Sequence, residues 1–351
     1  MAAFALLAAI AAAGLAAAEP LRFDRLSREQ ELSQVSVADI AQDRHGFLWV
    51  ATQDGLNRFD GYGFTVFLHD PAEPGSLSQN QLIDLVPARD GSLWVVPFAP
   101  GVIDRYDPAT EQFRAYRHDP ADPASLSPGQ VVPGLVLDDR EGRLWLGVAG
   151  GGLDLLDPAT GRVEHLRSDP ADAEGLASGN VSCLLEDRAG TLWIGTADAG
   201  LLRRQPAGEG ARPRFDSWRF SPDAPGGIPD NRVTALHEDA RGRLWIGTAQ
   251  GLAEMDRERG TFRLVRAPDP SRPGRDAVQF VTPTLPRPIV EDRAGALWVV
   301  TLAGLTRFDP ETGELVDFGP DEPAPRTRPS RAIAAGLADR AGELGVATQG
   351  S

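Results

Sequence analysis

Apolar residues in this chain come in short runs, cut at intervals of about ten residues by Gly, Pro or Asp. One stretch shows the pattern. Leu135 to Asp138 alternates into a polar turn, and Arg143 to Val148 follows. Leu153 to Asp157 comes next, and Arg162 to Arg167 follows the turn Asp157-Pro158-Ala159-Thr160-Gly161. In such a turn Asp caps its own backbone, Pro fixes φ and Gly accepts positive φ. Strands this short, bounded this regularly, predict an antiparallel meander of four strands. Helices are excluded because Gly and Pro recur too often.

The stretch is one copy of a repeat. Six Trp residues follow Leu in near-identical settings: Trp49, Trp94, Trp145, Trp193, Trp245 and Trp298, spaced by 45, 51, 48, 52 and 53 residues. Before each lies a polar turn, such as Asp43-Arg44-His45-Gly46 or Asp187-Arg188-Ala189-Gly190. After each comes a β-rich run and then Gly-Leu or a relative, from Gly55-Leu56 to Gly304-Leu305. A seventh copy, Ala338 to Thr348, has Leu344-Gly345 where the others have Leu-Trp. A repeat of about fifty residues points to units that cover one another. One four-stranded sheet cannot bury both faces, whereas sheets stacked radially cover their neighbours and leave only short edges. The predicted fold is therefore all-β: a seven-bladed β-propeller of four-stranded antiparallel blades, the last incomplete. The Trp becomes a wedge between blades, each indole stabilising by roughly 2–3 kcal/mol. Its alternative role, a sugar-stacking platform, does not explain why it recurs in six units.

Met1 to Ala18 is Ala/Leu-rich, ends in Ala16-Ala17-Ala18 and meets Glu19-Pro20, the pattern of a secretory signal peptide without a basic residue before its apolar run. The alternative is an N-terminal membrane anchor. Residues 19–351 form the propeller. Leu21 to Leu26 matches Phe113 to Arg117 and Phe262 to Arg266 in type, so it is expected to close the ring as the outer strand of the last blade. Counted this way the ring is one strand short after Ser351, and the expectation is a truncated piece of a longer protein.

The run from Gln42 to Phe64, Gln-Asp-Arg-His-Gly-Phe-Leu-Trp-Val-Ala-Thr-Gln-Asp-Gly-Leu-Asn-Arg-Phe-Asp-Gly-Tyr-Gly-Phe, resembles the two-component regulator propeller repeat. The connector His69 to Ser78, repeated at His118 to Ser127 and more weakly at Ser168 to Ala177, is similar to that family's connectors. The resemblance runs from Leu21 to the C-terminus. Departures are Leu344-Gly345, Pro97-Phe98-Ala99-Pro100 and the insert Pro268 to Pro288. The resemblance implies an extracytoplasmic sensor propeller, commonly followed by a second propeller, a small β-sandwich, a membrane helix and a histidine kinase or diguanylate cyclase. No kinase phosphoacceptor region or cyclase signature occurs here, so those activities would belong to a longer parent.

Composition narrows the partners. The net charge is −15, which repels phosphate backbones, so nucleic acid is not an expected partner. All 35 basic residues other than His are Arg, a compositional feature with no mechanism attached. The one cysteine, Cys183, lies in the apolar run Val181 to Leu185 and reads as a small buried hydrophobe. Of the five His, His69 and His118 share a repeat position and His165 falls near it, while His45 lies in a turn. Positions spread by repeat phase do not converge on one site, so these read as structural. His237 is the exception, on a first strand that lines the channel. The repeated carboxylates are turn caps, without a general acid–base pair or calcium-loop spacing. Gly150-Gly151-Gly152 precedes a strand, so it is not a phosphate loop. The expectation is no catalytic residue, no metal and no cofactor.

A propeller offers its channel mouth as the natural concave site. Loops joining second to third strands share a face with the connectors, and there lie the candidate binding residues Gln53, Asp54, Asp198 and Gln250, joined by His237. The expected partner is a small molecule or saccharide, or another propeller or protein domain, with a dimer in a longer parent. The predicted function is an extracytoplasmic ligand-sensing or interaction module. Competing readings are a propeller enzyme similar to streptogramin lyases, whose repeats carry Asp-x-x-Gly-x-Leu-Trp, and a non-functional fragment.

Overall fold

The computed structural model describes residues 32–172, 174–205, 213–224, 226–265, 289–301, 304–318, 333–338 and 344–348. The expected signal peptide at 1–18, the closing strand at 21–26 and the insert at 268–288 lie outside the described residues. In the first blade Val37–Gln42, Leu48–Thr52, Gly55–Phe59 and Phe64–Phe67 pair in chain order, all antiparallel. Five more four-stranded blades start at Leu82, Val131, Val181, Val233 and Ile289. The seventh sheet has two strands among the described residues, Ile333–Ala338 and Leu344–Thr348. The first strands neighbour one another in sequence, and Ile333–Ala338 lies against both Ile289–Glu291 and Val37–Gln42. The first strands thus form a closed circle around the channel.

The Trp residues wedge as expected. Trp49 packs with Leu82, Tyr106 and Phe113 of blade two, and Trp145 with Ile194, Leu202 and Phe215 of blade four. Trp245 meets Leu297 and Phe308 of blade six. Each of these indoles faces the following blade and is buried. The turn Asp residues do more than cap. Asp43 accepts the His45 and Phe47 N–H groups through Oδ1, at 2.8 and 3.1 Å, and the Trp49 indole N–H through Oδ2 at 2.8 Å. Asp139, Asp187, Asp239 and Asp292 treat Trp145, Trp193, Trp245 and Trp298 alike, at 2.8–2.9 Å. In blade two Ala88 takes the Asp position, and the buried Trp94 Nε1–H makes no hydrogen bond of good geometry.

The first strand of blade three starts earlier than its pattern suggests, at Val131 instead of Leu135. Pro133 and Gly134 read as breakers, yet they sit where the register with Leu146 and Val148 shifts, as at a bulge. Gly134, at φ 74°, donates its N–H to Asp84 of blade two at 2.8 Å.

The ends of the ring differ. At the end formed by the first-to-second-strand turns, neighbouring blades are hydrogen-bonded in series. The N–H groups of Arg89, Arg140, Arg188 and Ala240 donate to Asp138, Glu186, Glu238 and Glu291, each on the next blade. Arg257 adds ion pairs to Asp187 and Glu238 at 3.1 and 2.7 Å. The opposite end carries the connectors and the second-to-third-strand turns.

Replacing Asp43 by Ala should cost about 2–4 kcal/mol, because a buried indole N–H and two turn N–H groups lose their acceptor. Asp60→Ala, which removes only the exposed turn bonds to Tyr62 and Gly63, should cost clearly less, because water replaces those bonds. Urea denaturation compares them; equal losses would show that the indole bond contributes nothing.

Candidate functional site

The connector end is built from a repeated clasp. Ser78 in the first connector donates its N–H to Oδ2 of Asp104 at 2.8 Å and its hydroxyl to Oδ1. Ser127 does the same to Asp154, at 2.7 and 2.8 Å. Ser33 and Asn57 form the polar counterpart in blade one. Asp104 and Asp154 are fully buried third-strand residues, so each carboxylate needs these donors. Arg117 reaches Ser78 at 2.8 Å, and Arg167 reaches both Ser127 and Asp154. The connectors also close on themselves. His69 and His118 place Nδ1 2.6 Å from the Leu77 and Leu126 carbonyls, and Ser76 and Ser125 bond the backbones of Asp70 and Asp119.

Ser127, His165 and Asp154 together invite a catalytic reading, which their geometry does not support. In a nucleophilic triad the imidazole stands between hydroxyl and carboxylate, using its two nitrogens. Here Nδ1 of His165 meets both Asp154, at 2.7 Å, and Ser127, at 3.2 Å, while Nε2 meets the Pro123 carbonyl at 3.1 Å. The Ser127 hydroxyl donates straight to Asp154. The group pins a connector.

The sequence-based candidates divide between the two ends. Gln53 and Asp54 are exposed on the blade-one turn, where Asp54 accepts the Asn80 amide at 3.0 Å. Asp198, exposed on blade four, accepts the Asn180 amide at 2.7 Å. Gln250 is exposed on blade five. These four share the connector end but sit on three different blades. His237 does not join them. In its strand Val233 pairs with Thr248, beside Gln250, whereas His237 pairs with Trp245 at the other end. Its Nε2 lies 3.8 Å from Glu291 of blade six.

One concavity gathers residues on the connector end. Phe220, Gly226, Gly227, Pro229 and Asp230 of the fourth connector, with Gln250, Phe262 and Leu264 of blade five, line a groove of about 560 Å³. Only Gln250 among these was singled out by sequence. The missed signal was a comparison of connectors: Phe220 stands where His69 and His118 stand, and Pro229 where Ser78 and Ser127 stand.

The matches to known proteins follow the same architecture. The two-component regulator propeller family matches residues 31–54, 175–198 and 227–250. Each window runs from the end of a connector through the first and second strands to the next turn. The chain carries two-component regulator propeller repeats. It is similar to the extracellular domain of a candidate hybrid two-component system from B. thetaiotaomicron, at 25% identity over 93% of this chain and 40% of that one, with a TM-score of 0.69. Histidine kinase P4 of Formosa agariphila is 53% identical over 47 residues, 13% of this chain and 3% of that protein. The chain thus spans less than half of the first relative and a small fraction of the second. Virginiamycin B lyase from Staphylococcus aureus shares the fold, with a TM-score of 0.61 at 13% identity over 90% of this chain and 92% of that one. That likeness is one of fold alone, and the lyase reading gains nothing from the histidines described above.

Two titrations test this account. Burial pushes the Asp104 carboxyl above its ordinary value, against the pull of the Ser78 donors and of Arg117 and His69. The folded state therefore holds this proton more tightly than the unfolded chain. Its stabilising effect is complete below the unfolded value of about 4 and is lost as pH rises through the folded value. The Tm of Asp104→Asn relative to the native protein should accordingly rise across that window; a flat difference would contradict the assignment. Burial likewise pushes the Cys183 thiol up to about 12. Iodoacetamide at pH 8 should leave Cys183 unmodified in the folded protein and alkylate it in urea.

Proposed function

We propose that this propeller is the extracytoplasmic ligand-sensing or interaction module of a bacterial signal-transduction protein, with no catalysis of its own. The observation that carries the reading is the similarity, across 93% of the chain, to an extracellular domain of a candidate hybrid two-component system. The three repeat matches support it. A histidine kinase or diguanylate cyclase output would belong to a longer parent.

The connector end is the face for capture. The opposite end is knit by hydrogen bonds and ion pairs between blades, although Tyr62 is exposed there, while Leu68, Phe98 and Phe220 are exposed together at the connector end, which also carries Asp54, Asp198 and Gln250. A small molecule or saccharide, or a neighbouring domain, bound across this face shifts how the propeller packs on its neighbour or on a second copy. The shift equals the ligand's difference in affinity between the two arrangements.

Residues 1–18 act in this proposal as the export signal. The chain fused at its C-terminus to alkaline phosphatase, which is active only outside the cytoplasm, should give phosphatase-positive bacteria. Deleting residues 1–18 should abolish the activity. Activity without those residues would remove the export signal from the proposal, and an inactive full fusion at normal expression would overturn the extracytoplasmic reading.

A further inference from the structure

The groove at the fourth connector lies where the repeat has lost its polar clasp. In the first two connectors His69 and His118, Ser76 and Ser125, and Ser78 and Ser127 hold the chain down, the last pair on Asp104 and Asp154. The same four positions in the fourth connector and blade five read Phe220, Gly227, Pro229 and Ala253. The register makes the match: Asp104 pairs with Val95, Asp154 with Leu146 and Ala253 with Ile246, each partner one residue after the Trp. Blade four has also lost its clasp, but there fully buried Leu202 takes the space. Ala253 is buried in the core below, and the other three positions, Phe220, Gly227 and Pro229, line the groove. The Phe220 ring is 48% exposed, although nothing in the repeat calls for an aromatic there. Scaffold rules broken without a local compensating gain mark functional positions.

The groove's dimensions and chemistry define an occupant. Its volume of about 560 Å³ lies within the range of small-ligand sites, on the order of 300–1,000 Å³. Phe220, Phe262, Leu264 and Pro229 supply apolar surface. Asp230 is the one charged residue of the lining, and it accepts the Arg232 N–H through Oδ1 at 2.7 Å, leaving Oδ2 for a ligand donor. With a chain charge of −15, long-range attraction also favours cations. We infer that this groove binds a small organic cation with a flat apolar body, the ring against Phe220, the ammonium on Asp230 and Gln250 hydrogen-bonding the rim. Aromatic rings pack on one another in offset or edge-to-face geometry, and a charge-assisted bond fixes the ammonium end. This inference rests on the ligand-sensing reading above and gives that reading a site and a ligand class.

Three probes share one ring system and differ in charge: tryptamine, tryptophol and indole-3-acetate. Calorimetry on the full chain at pH 7 should rank them in that order, with tryptophol about tenfold weaker than tryptamine, the loss of one charge-assisted bond. Asp230→Asn should bring tryptamine down to the affinity of tryptophol, and Phe220→Ala should weaken both. Phe220 is exposed and Asn can still accept the Arg232 amide, so both variants should keep the native Tm. Equal affinities for the three probes, an order unchanged by Asp230→Asn, or no binding of tryptamine would overturn the inference. A metabolite panel read by thermal shift separates it from the broader reading. A ligand that stabilises the native protein and both variants equally ends the groove but keeps sensing. A panel without any shift counts against small-molecule sensing itself.

Discussion

A buried indole N–H costs free energy unless it is hydrogen-bonded, and most of this ring is arranged around how that bond is made. The tryptophan must enter an apolar seam to cover the neighbouring blade, and an unpaired N–H there would cancel much of the gain. An Asp six residues earlier resolves the conflict: one oxygen takes the indole while the other closes the turn. Turn geometry, strand register and blade-to-blade packing are thereby tied to one carboxylate. The motif recurs as a unit in five of the six Trp-bearing blades. Blade two keeps its Trp without the Asp, and there the Asp138 carboxyl of the next blade interacts with the indole.

The same economy explains why the two ends of the ring differ. Short turns at one end leave N–H groups pointing sideways, and carboxylates at the ends of the next first strands accept them. That end is committed to holding blades together. The connectors at the other end are longer and need their own fastening, which the Ser–Asp clasps and the histidine contacts supply. Once adjacent blades are secured elsewhere, a connector can give up its fastening without opening the ring. The fourth connector has lost its Ser–Asp clasp, keeps its bond from the Phe220 N–H to Asn231, and carries a groove lined by Phe220, Asp230 and Gln250. Binding surfaces on loops carried by a rigid scaffold arise in this way.

Much of the fold was legible in the sequence because its determinants are local. Strand alternation, Asp-Pro and Asp-x-x-Gly turns and the Leu-Trp spacing each act over a few residues, and their repetition implies radial stacking. Cys183 and the histidines of the connectors were likewise readable as structural from their place in the repeat. The first strand of blade three was less legible, since Pro133 and Gly134 interrupt strands in general and are admitted here by a register shift and a bond to Asp84. The second duty of the turn aspartates was invisible for a related reason: six residues of separation bring them to the indole only after the hairpin has formed.

The candidate site is where local reading ended. Gln250 and His237 are close in sequence and belong to one blade, yet a strand of five or six residues, at about 3.3 Å each, carries them to opposite ends of the ring. Gln53, Asp54 and Asp198 do share an end with Gln250, but ring geometry spreads them over blades one, four and five. The sequence by itself determined the repeat, the all-β class and the buried role of the tryptophans, because those follow from patterns within one unit. Which side chains share a face, and where a lost clasp adjoins a groove, was decided by tertiary structure, because both depend on contacts between units whose separation in sequence carries no information about distance.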